Sequence, residues 1–239
     1  LNFTPDHLNR HGSMEAYGAC KAAIGKNQTS DDYMVINYDD KACLALGDNT
    51  KARLVPFSRI EELEFGAYID DGYIVIRDES GIVHQICSKD ELKIIGNHNL
   101  ENALAAAAIS FFAGIDTAVI ADALKKFPGV EHRIEYCGIV DGVKFYNDSK
   151  GTNVDASIIA LKALERDIVL IAGGDGKAQD FTELGENLLG RVKALVLLGR
   201  DAKDIEKAAR AAGFSNIYHE NDMNDCVKRA HKLSESGDK

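Results

Sequence analysis

The sequence has no C-x-x-C pair, and its five cysteines, at 20, 43, 87, 137 and 226, are scattered. They read as free thiols in a reducing compartment, not as a disulfide or zinc framework. No apolar run approaches a membrane span, and the opening L-N-F-T-P-D-H lacks a signal-peptide pattern. Basic residues are outnumbered, 28 against 38 acidic ones, for a net charge of −10. That balance argues against general nucleic-acid or membrane-surface binding and leaves room only for a local basic pocket. There is no internal repeat, no low-complexity linker and no initiator Met. Leu1-Asn2-Phe3 reads as the end of a strand, so the chain is expected to be part of something longer. Two nucleotide signatures are also missing. Gly173 to Lys177 (G-G-D-G-K) invites a phosphate-loop reading, but no G-x-x-x-x-G-K-[ST] is present and no Ser or Thr follows Lys177. No G-x-G-x-x-G follows a strand, which disfavours a dinucleotide-dependent dehydrogenase.

What is present suffices for a real core. The 239 residues are 45% apolar and 28% charged, enough for one large or two ordinary soluble domains. A helix is expected from Ser13 to about Lys26, with Met14, Tyr17, Lys21 and Ile24 in one stripe. Lys21 then lies on the apolar face. Either its stem packs while the amine reaches water, or the amine is held inward for chemistry. Tyr33–Asn37 reads as a buried strand, and residues 42–50 as a short helix. Strands at Arg53–Phe57, Gly66–Ile69, Tyr73–Arg77 and Val83–Cys87 read as a small antiparallel insert. Asn99 is expected to cap a buried helix, Leu100–Gly114, with Asn102 in its first turn. Asn102 either bonds the preceding loop or meets a ligand. A second helix covers Asp116–Phe127, and Pro128-Gly129 marks a break.

Beyond it the order is strand, turn, strand, then helices alternating with strands at Asp167–Ala172, Lys193–Leu198 and Asn216–His219. Helices are expected near Phe181, Asp201 and Asp222. Apolar strands alternating with amphipathic helices predict an α/β fold with a mostly parallel sheet. Ligands of such sheets sit beyond the carboxyl ends of strands. The stretch Val143–Asn153, V-K-F-Y-N-D-S-K-G-T-N, is the one the chain turns on. It starts with strand alternation and ends at a helix start, with Thr152 or Asn153 as cap. Lys150 and Lys177, with Thr152, suit a small dicarboxylate or phosphate, and Asp148 and Asp175 suit orienting those lysines or a nucleotide sugar. The alternative is a set of surface ion pairs.

Several runs together resemble the Mur ligases of peptidoglycan synthesis. They are D-H-L-N-R-H at 6–11, A-C-K-A-A-I at 19–24, G-N-H-N-L-E-N at 96–102, H-R at 132–133, N-D-S-K-G-T-N at 147–153 and G-G-D-G-K at 173–177. The N-D-S-K-x-T-N run is the specific one and is similar to the branch that adds D-glutamate. The resemblance implies a cytoplasmic, monomeric, ATP-dependent amide ligase with Mg²⁺. ATP phosphorylates the L-alanine carboxylate of UDP-N-acetylmuramoyl-L-alanine, and the amine of D-glutamate attacks the acyl phosphate. It implies a partial central ATPase domain over 1–131 and a Rossmann-like, amino-acid-binding domain over 132–239. By resemblance His7 is a magnesium ligand, and Lys21 is a lysine carbamylated by CO₂ whose carboxylate binds a second Mg²⁺. Asn99 and Asn102 lie on the adenine side, and Arg133 and Asp148 contact ATP. Lys150 sits near the transferred phosphate, while Thr152 and Lys177 hold the D-glutamate carboxylates.

The departures concern parts the family has and this sequence lacks: the UDP-binding first domain, the G-x-x-G-K-[ST] loop with an acidic magnesium ligand, and a final strand with an S-P-x-x-A-S-type turn. This piece alone is therefore expected to be inactive. Two other readings stand beside the ligase. One is a non-catalytic nucleotide- or amino-acid-binding module. The other is a related ligase resembling folate polyglutamate synthase, which the N-D-S-K setting of Lys150 disfavours.

Overall fold

The computed structural model describes residues 1–4, 8–48, 50–174 and 179–239. The chain divides into two compact units, Leu1–Pro128 and Gly129–Lys239.

The first unit opens with two short helices, α1 (Leu8–His11) and α2 (Met14–Ala22), the latter capped by Ser13, whose side chain accepts from the Ala16 amide. A five-stranded sheet follows in the order β1 (Tyr33–Asn37), β2 (Arg53–Ser58), β3 (Gly66–Asp70), β4 (Tyr73–Arg77), β5 (Val83–Ser88). Helix α3 (Lys41–Ala45), capped by Asp40, links β1 to β2. β1–β2 and β2–β3 are parallel; β3–β4 and β4–β5 are antiparallel. The expected four-stranded antiparallel insert is thus corrected: β2 belongs to the parallel part of one mixed sheet. The physical reason is a shared core. Val55 and Phe57 of β2, Ala67, Ile74 and Ile76 of the next two strands, and Leu104 of helix α4 (Asn97–Phe112) are all fully buried in one cluster. The larger of these, the Val, Ile, Leu and Phe side chains, contribute about 1.5–3 kcal/mol each on full burial. Helix α5 (Thr117–Lys126), capped by Asp116, closes the unit.

The second unit begins with a hairpin, β6 (Glu135–Val140) and β7 (Val143–Asn147), turning at Asp141-Gly142. Helix α6 (Val154–Leu164) follows. The parallel sheet then has the order β10 (Ile217–His219), β9 (Val192–Gly199), β8 (Ile168–Gly174). Helices α7 (Thr182–Leu188), α8 (Ala202–Ala211) and α9 (Met223–Leu233) alternate with these strands. Strand alternation sorts β9 between two cores. Leu195 and Leu197 face the cluster holding Ile158 of α6, Leu188 of α7 and Ile205 of α8, whereas Val196 faces Cys226 and Ala230 of α9. Covering both faces is what a parallel sheet needs. No helix of the described residues is long and apolar enough to cross a membrane.

Candidate active site

In the second unit the candidate residues gather on one turn. β7 ends at Asn147, and its side-chain oxygen accepts from the Ser149 amide at 3.0 Å, which starts the bend. The Gly151 amide returns to the Asp148 carbonyl at 2.8 Å. Asn153 is the N-cap of α6, its side chain accepting from Ala156 at 2.8 Å, so the cap is Asn153 and not Thr152. Lys150 and Thr152 stand exposed on this turn. Gly151 leaves room for Asp148: a Cβ there would lie 2.6 Å from its carboxylate oxygen and 3.1 Å from its carbonyl oxygen, so the carboxylate would have to move.

Asp148 is the half-buried member. Its carboxylate accepts from the Ile134 amide at 3.0 Å, and the Lys150 amide donates to the His132 carbonyl at 3.0 Å. These bonds hold His132 and Ile134 at φ of 66° and 44°, a left-handed region that a β-branched residue rarely enters. Such conformations cost about 1–3 kcal/mol each and persist where the surroundings over-determine them. The exposed Arg133 lies between the two strained residues. Burial pushes the Asp148 carboxyl above its ordinary range, partly offset by the Ile134 N–H and the Arg133 charge. His132 adds a ring contact to Asn147, Nδ1 to Nδ2 at 2.9 Å.

One participant is not legible in the motif pattern. The Gln179 amide oxygen accepts from the Val154 amide at 3.0 Å, and its nitrogen donates to the Thr152 carbonyl at 3.4 Å. Gln179 follows Lys177 by two residues, so it joins the loop after β8 to the start of α6. Its position in the sequence was the only available signal. With Val154 and Ala156 already bonded, the helix end offers an anion less bare backbone than the strand-to-helix turn suggests. Among the described residues of this turn, Lys150 is a positively charged side chain, and it is exposed. Lys177 and Asp175 lie outside the described residues.

Glycines shape the neighbouring strand tips. Gly173 has φ 145°, and a Cβ on it would overlap the Leu198 carbonyl oxygen well inside van der Waals contact. Its absent side chain therefore serves the approach of β8 to β9, not a phosphate loop.

In the first unit, α4 starts at Asn97 behind Gly96, which has φ 91°. Asn99 is thus inside the first turn and is not the cap. Its side-chain nitrogen donates to the Ile95 carbonyl at 2.8 Å, and its oxygen accepts from Asn102 at 3.4 Å. Asn102 is satisfied by Asn99, not by the preceding loop. The helix is also not buried all round, since Ile109 is 58% exposed. The expected apolar stripe of α2 is corrected in the same way. The α-helix ends at Ala22, Ile24 is 79% exposed, and Lys21 is exposed with its Nζ 4.9 Å from the Tyr17 ring centroid. Lys21 and Ile24 line an apolar groove of about 570 Å³ with Tyr33, Val35, Ile109 and Phe112. His7 lies outside the described residues. Among the described residues no three His, Cys, Asp or Glu side chains cluster as metal ligands, and an ammonium at Lys21 is not a ligand. The fit of a divalent cation therefore turns on a carbamate at Lys21 together with His7.

Comparison with known proteins now decides the family. The profile described as Mur ligase middle domain matches residues 1–110, and that described as Mur ligase, glutamate ligase domain, matches 132–239. The chain belongs to the Mur ligase family. It is similar to the UDP-N-acetylmuramoylalanine–D-glutamate ligase of Thermoanaerobacter sp. strain X514, 47% identical over 240 residues, covering 100% of this chain and 53% of that protein. Among solved structures, MurF from Acinetobacter baumannii superposes with a TM-score of 0.72 at 17% identity, over 97% of this chain and 52% of that one. Folylpolyglutamate synthase of Mycobacterium tuberculosis, complexed with ADP, gives 0.65 at 20% identity over 97% and 55%. At those identities the likeness shows the Mur ligase fold alone. The folate enzyme is a relative in fold, and nothing in that likeness favours its chemistry here. The chain spans about half the length of the curated relatives it matches.

Proposed function

We propose that this chain supplies the nucleotide-facing and amino-acid-binding parts of an ATP-dependent ligase that joins D-glutamate to UDP-N-acetylmuramoyl-L-alanine. The observation that carries this reading is the Asn147–Asn153 turn: its sequence resembles that of the D-glutamate-adding branch, and Lys150 and Thr152 are both exposed on it after the end of β7. The 47% identity of the Thermoanaerobacter D-glutamate ligase along the whole of this chain supports it.

In this reading the second unit recognises an acidic amino acid by charge. Lys150 meets the transferred phosphate and the acceptor, and Lys177 and Thr152 hold the two carboxylates. An acyl phosphate carries charge that develops further as the amine attacks, and a fixed cation beside it stabilises that charge more than a mobile one. Asp148, Arg133 and the strained His132–Ile134 segment hold the nucleotide side, with Asn99 and Asn102 toward adenine. Mg²⁺ would be held by His7 and a carbamate at Lys21, where it would offset negative charge on the phosphates. The rest of catalysis is positioning by the chain's own residues.

The test is phosphate release by the complete ligase that contains this chain, with ATP, UDP-N-acetylmuramoyl-L-alanine and D-glutamate. Strict dependence on D-glutamate is expected, with severe loss in both Lys150→Ala and Lys177→Ala. Turnover with glutamate omitted, or ordinary kinetics in both variants, defeats the assignment.

A further inference from the structure

Thr152 is held from two sides. On the β7 side its amide donates to the Lys150 carbonyl at 3.0 Å, and the Lys150 and Gly151 amides are tied back to His132 and Asp148. On the other side its carbonyl accepts from the Gln179 side-chain nitrogen at 3.4 Å. The same carboxamide takes the Val154 amide at 3.0 Å through its oxygen. Val154 opens α6, and its amide is one that the helix itself cannot satisfy. One side chain therefore spans the peptide groups on both sides of the Asn153 cap.

The base of that side chain is fixed. Asp180 accepts from the Thr182 amide at 2.9 Å and from its hydroxyl at 2.6 Å, which sets the start of α7. Phe181 of this segment and Val154 of α6 pack against the same apolar cluster, with Ile158 and Leu184. Half-buried Gln179 thus reaches from an anchored backbone to an exposed Thr152. The two bonds together call for an amide. A glutamine offers a donor and an acceptor side by side, whereas a carboxylate only accepts and an ammonium only donates.

We infer that Gln179 is a positioning residue for the acidic acceptor, acting through Thr152. It sets where Thr152 stands relative to α6, and so where the Thr152 hydroxyl meets a carboxylate. This role rests on the ligase reading, in which Thr152 holds a D-glutamate carboxylate; the bridge itself does not. A hydrogen bond to a carboxylate counts for about tenfold to a hundredfold in binding when lost outright. A Thr152 left unbridged keeps part of it, so a loss of about fivefold is expected. Such a bond is made to bound acceptor and transition state alike, so the loss falls on KM and spares kcat.

Two variants of the complete ligase containing this chain separate the two halves of the bridge. Gln179→Glu keeps the acceptor for Val154 and removes the donor to Thr152. Gln179→Met removes both and adds no charge. Exchange at the Val154 amide should rise about fivefold or more in Gln179→Met and stay within about twofold in Gln179→Glu. In both, KM for D-glutamate should rise about fivefold or more, with kcat and the KM for ATP within about twofold. Unchanged Val154 exchange in Gln179→Met overturns the bridge. An ordinary KM for D-glutamate in either variant overturns the positioning role; if Gln179→Glu alone raises it, the cause is the added charge. A rise shared by ATP, or a lowered Tm in Gln179→Glu, means general loosening and overturns the role as well. If the unmodified ligase shows no D-glutamate-dependent turnover, the ligase reading falls and the acceptor role with it, while the exchange result still judges the bridge.

Discussion

Substituting Gly173 by alanine gives the sharpest check on how the strand tips are built. Two costs combine. The backbone at φ 145° lies where a side chain is strained, worth about 1–3 kcal/mol. The new Cβ would also overlap the Leu198 carbonyl oxygen and lie 2.8 Å from its carbon, so β8 and β9 must part by more than roughly 1 Å. A ladder bond does not survive that opening. The rungs at Gly173–Leu198 and Gly174–Gly199 would go, at about 1 kcal/mol each. The sum is about 3–5 kcal/mol. Gly174→Ala is the control, since its φ is 119° but among the described residues nothing lies within 4 Å of its Cβ, leaving only the strain cost. Urea titration read by exchange at the Leu195–Leu197 amides measures both. With a slope of about 2 kcal/mol per molar, the Gly173→Ala midpoint should fall by about 2 M. A loss no larger than that of Gly174→Ala would refute the close approach as the reason for glycine at 173.

Asp148→Asn should stabilise the chain at neutral pH and, on the proposed reading, weaken nucleotide binding. A carboxyl raised above its unfolded value of 3.8 binds its proton more tightly when folded, so stability is lost as pH rises from that value to the folded one. Thermal unfolding should therefore favour the variant at pH 7 and show the gap closing near pH 3; a gap independent of pH would be the wrong result. Gly151→Ala, which sets a Cβ against the Asp148 carboxylate, should cost about 1–3 kcal/mol in the same assay. Thiol labelling should find Cys20 and Cys137 fast and Cys43, Cys87 and Cys226 slow, since the last two are buried with thiols pushed up by that burial. Uniform rates would contradict the packing. Activity of the complete ligase should depend on bicarbonate and fail in Lys21→Ala; indifference to both removes the carbamate.

Local chemistry was enough to place most elements. The Ser13, Asp40, Asp116, Asn153 and Asp222 caps act within three residues, and a short-range rule finds them. The alternation of β9 and the three- and four-residue spacing of Ala202, Ile205 and Ala209 likewise follow from periods of 2 and 3.6. The turn from Asn147 to Asn153 was legible because its residues are contiguous. What sequence alone could not decide was pairing between distant segments. Whether β2 lay parallel to β1 or inside an antiparallel insert depended on which side chains share a core with Leu104. Whether Lys21 pointed inward depended on what packs beside α2. Gln179 on the α6 end, Asp148 on Ile134 and Asp238 on Lys193 of β9 are contacts spanning 25, 14 and 45 residues respectively. Hydrogen bonds and burial between such segments exist only once the chain has closed on itself, and no local period encodes them.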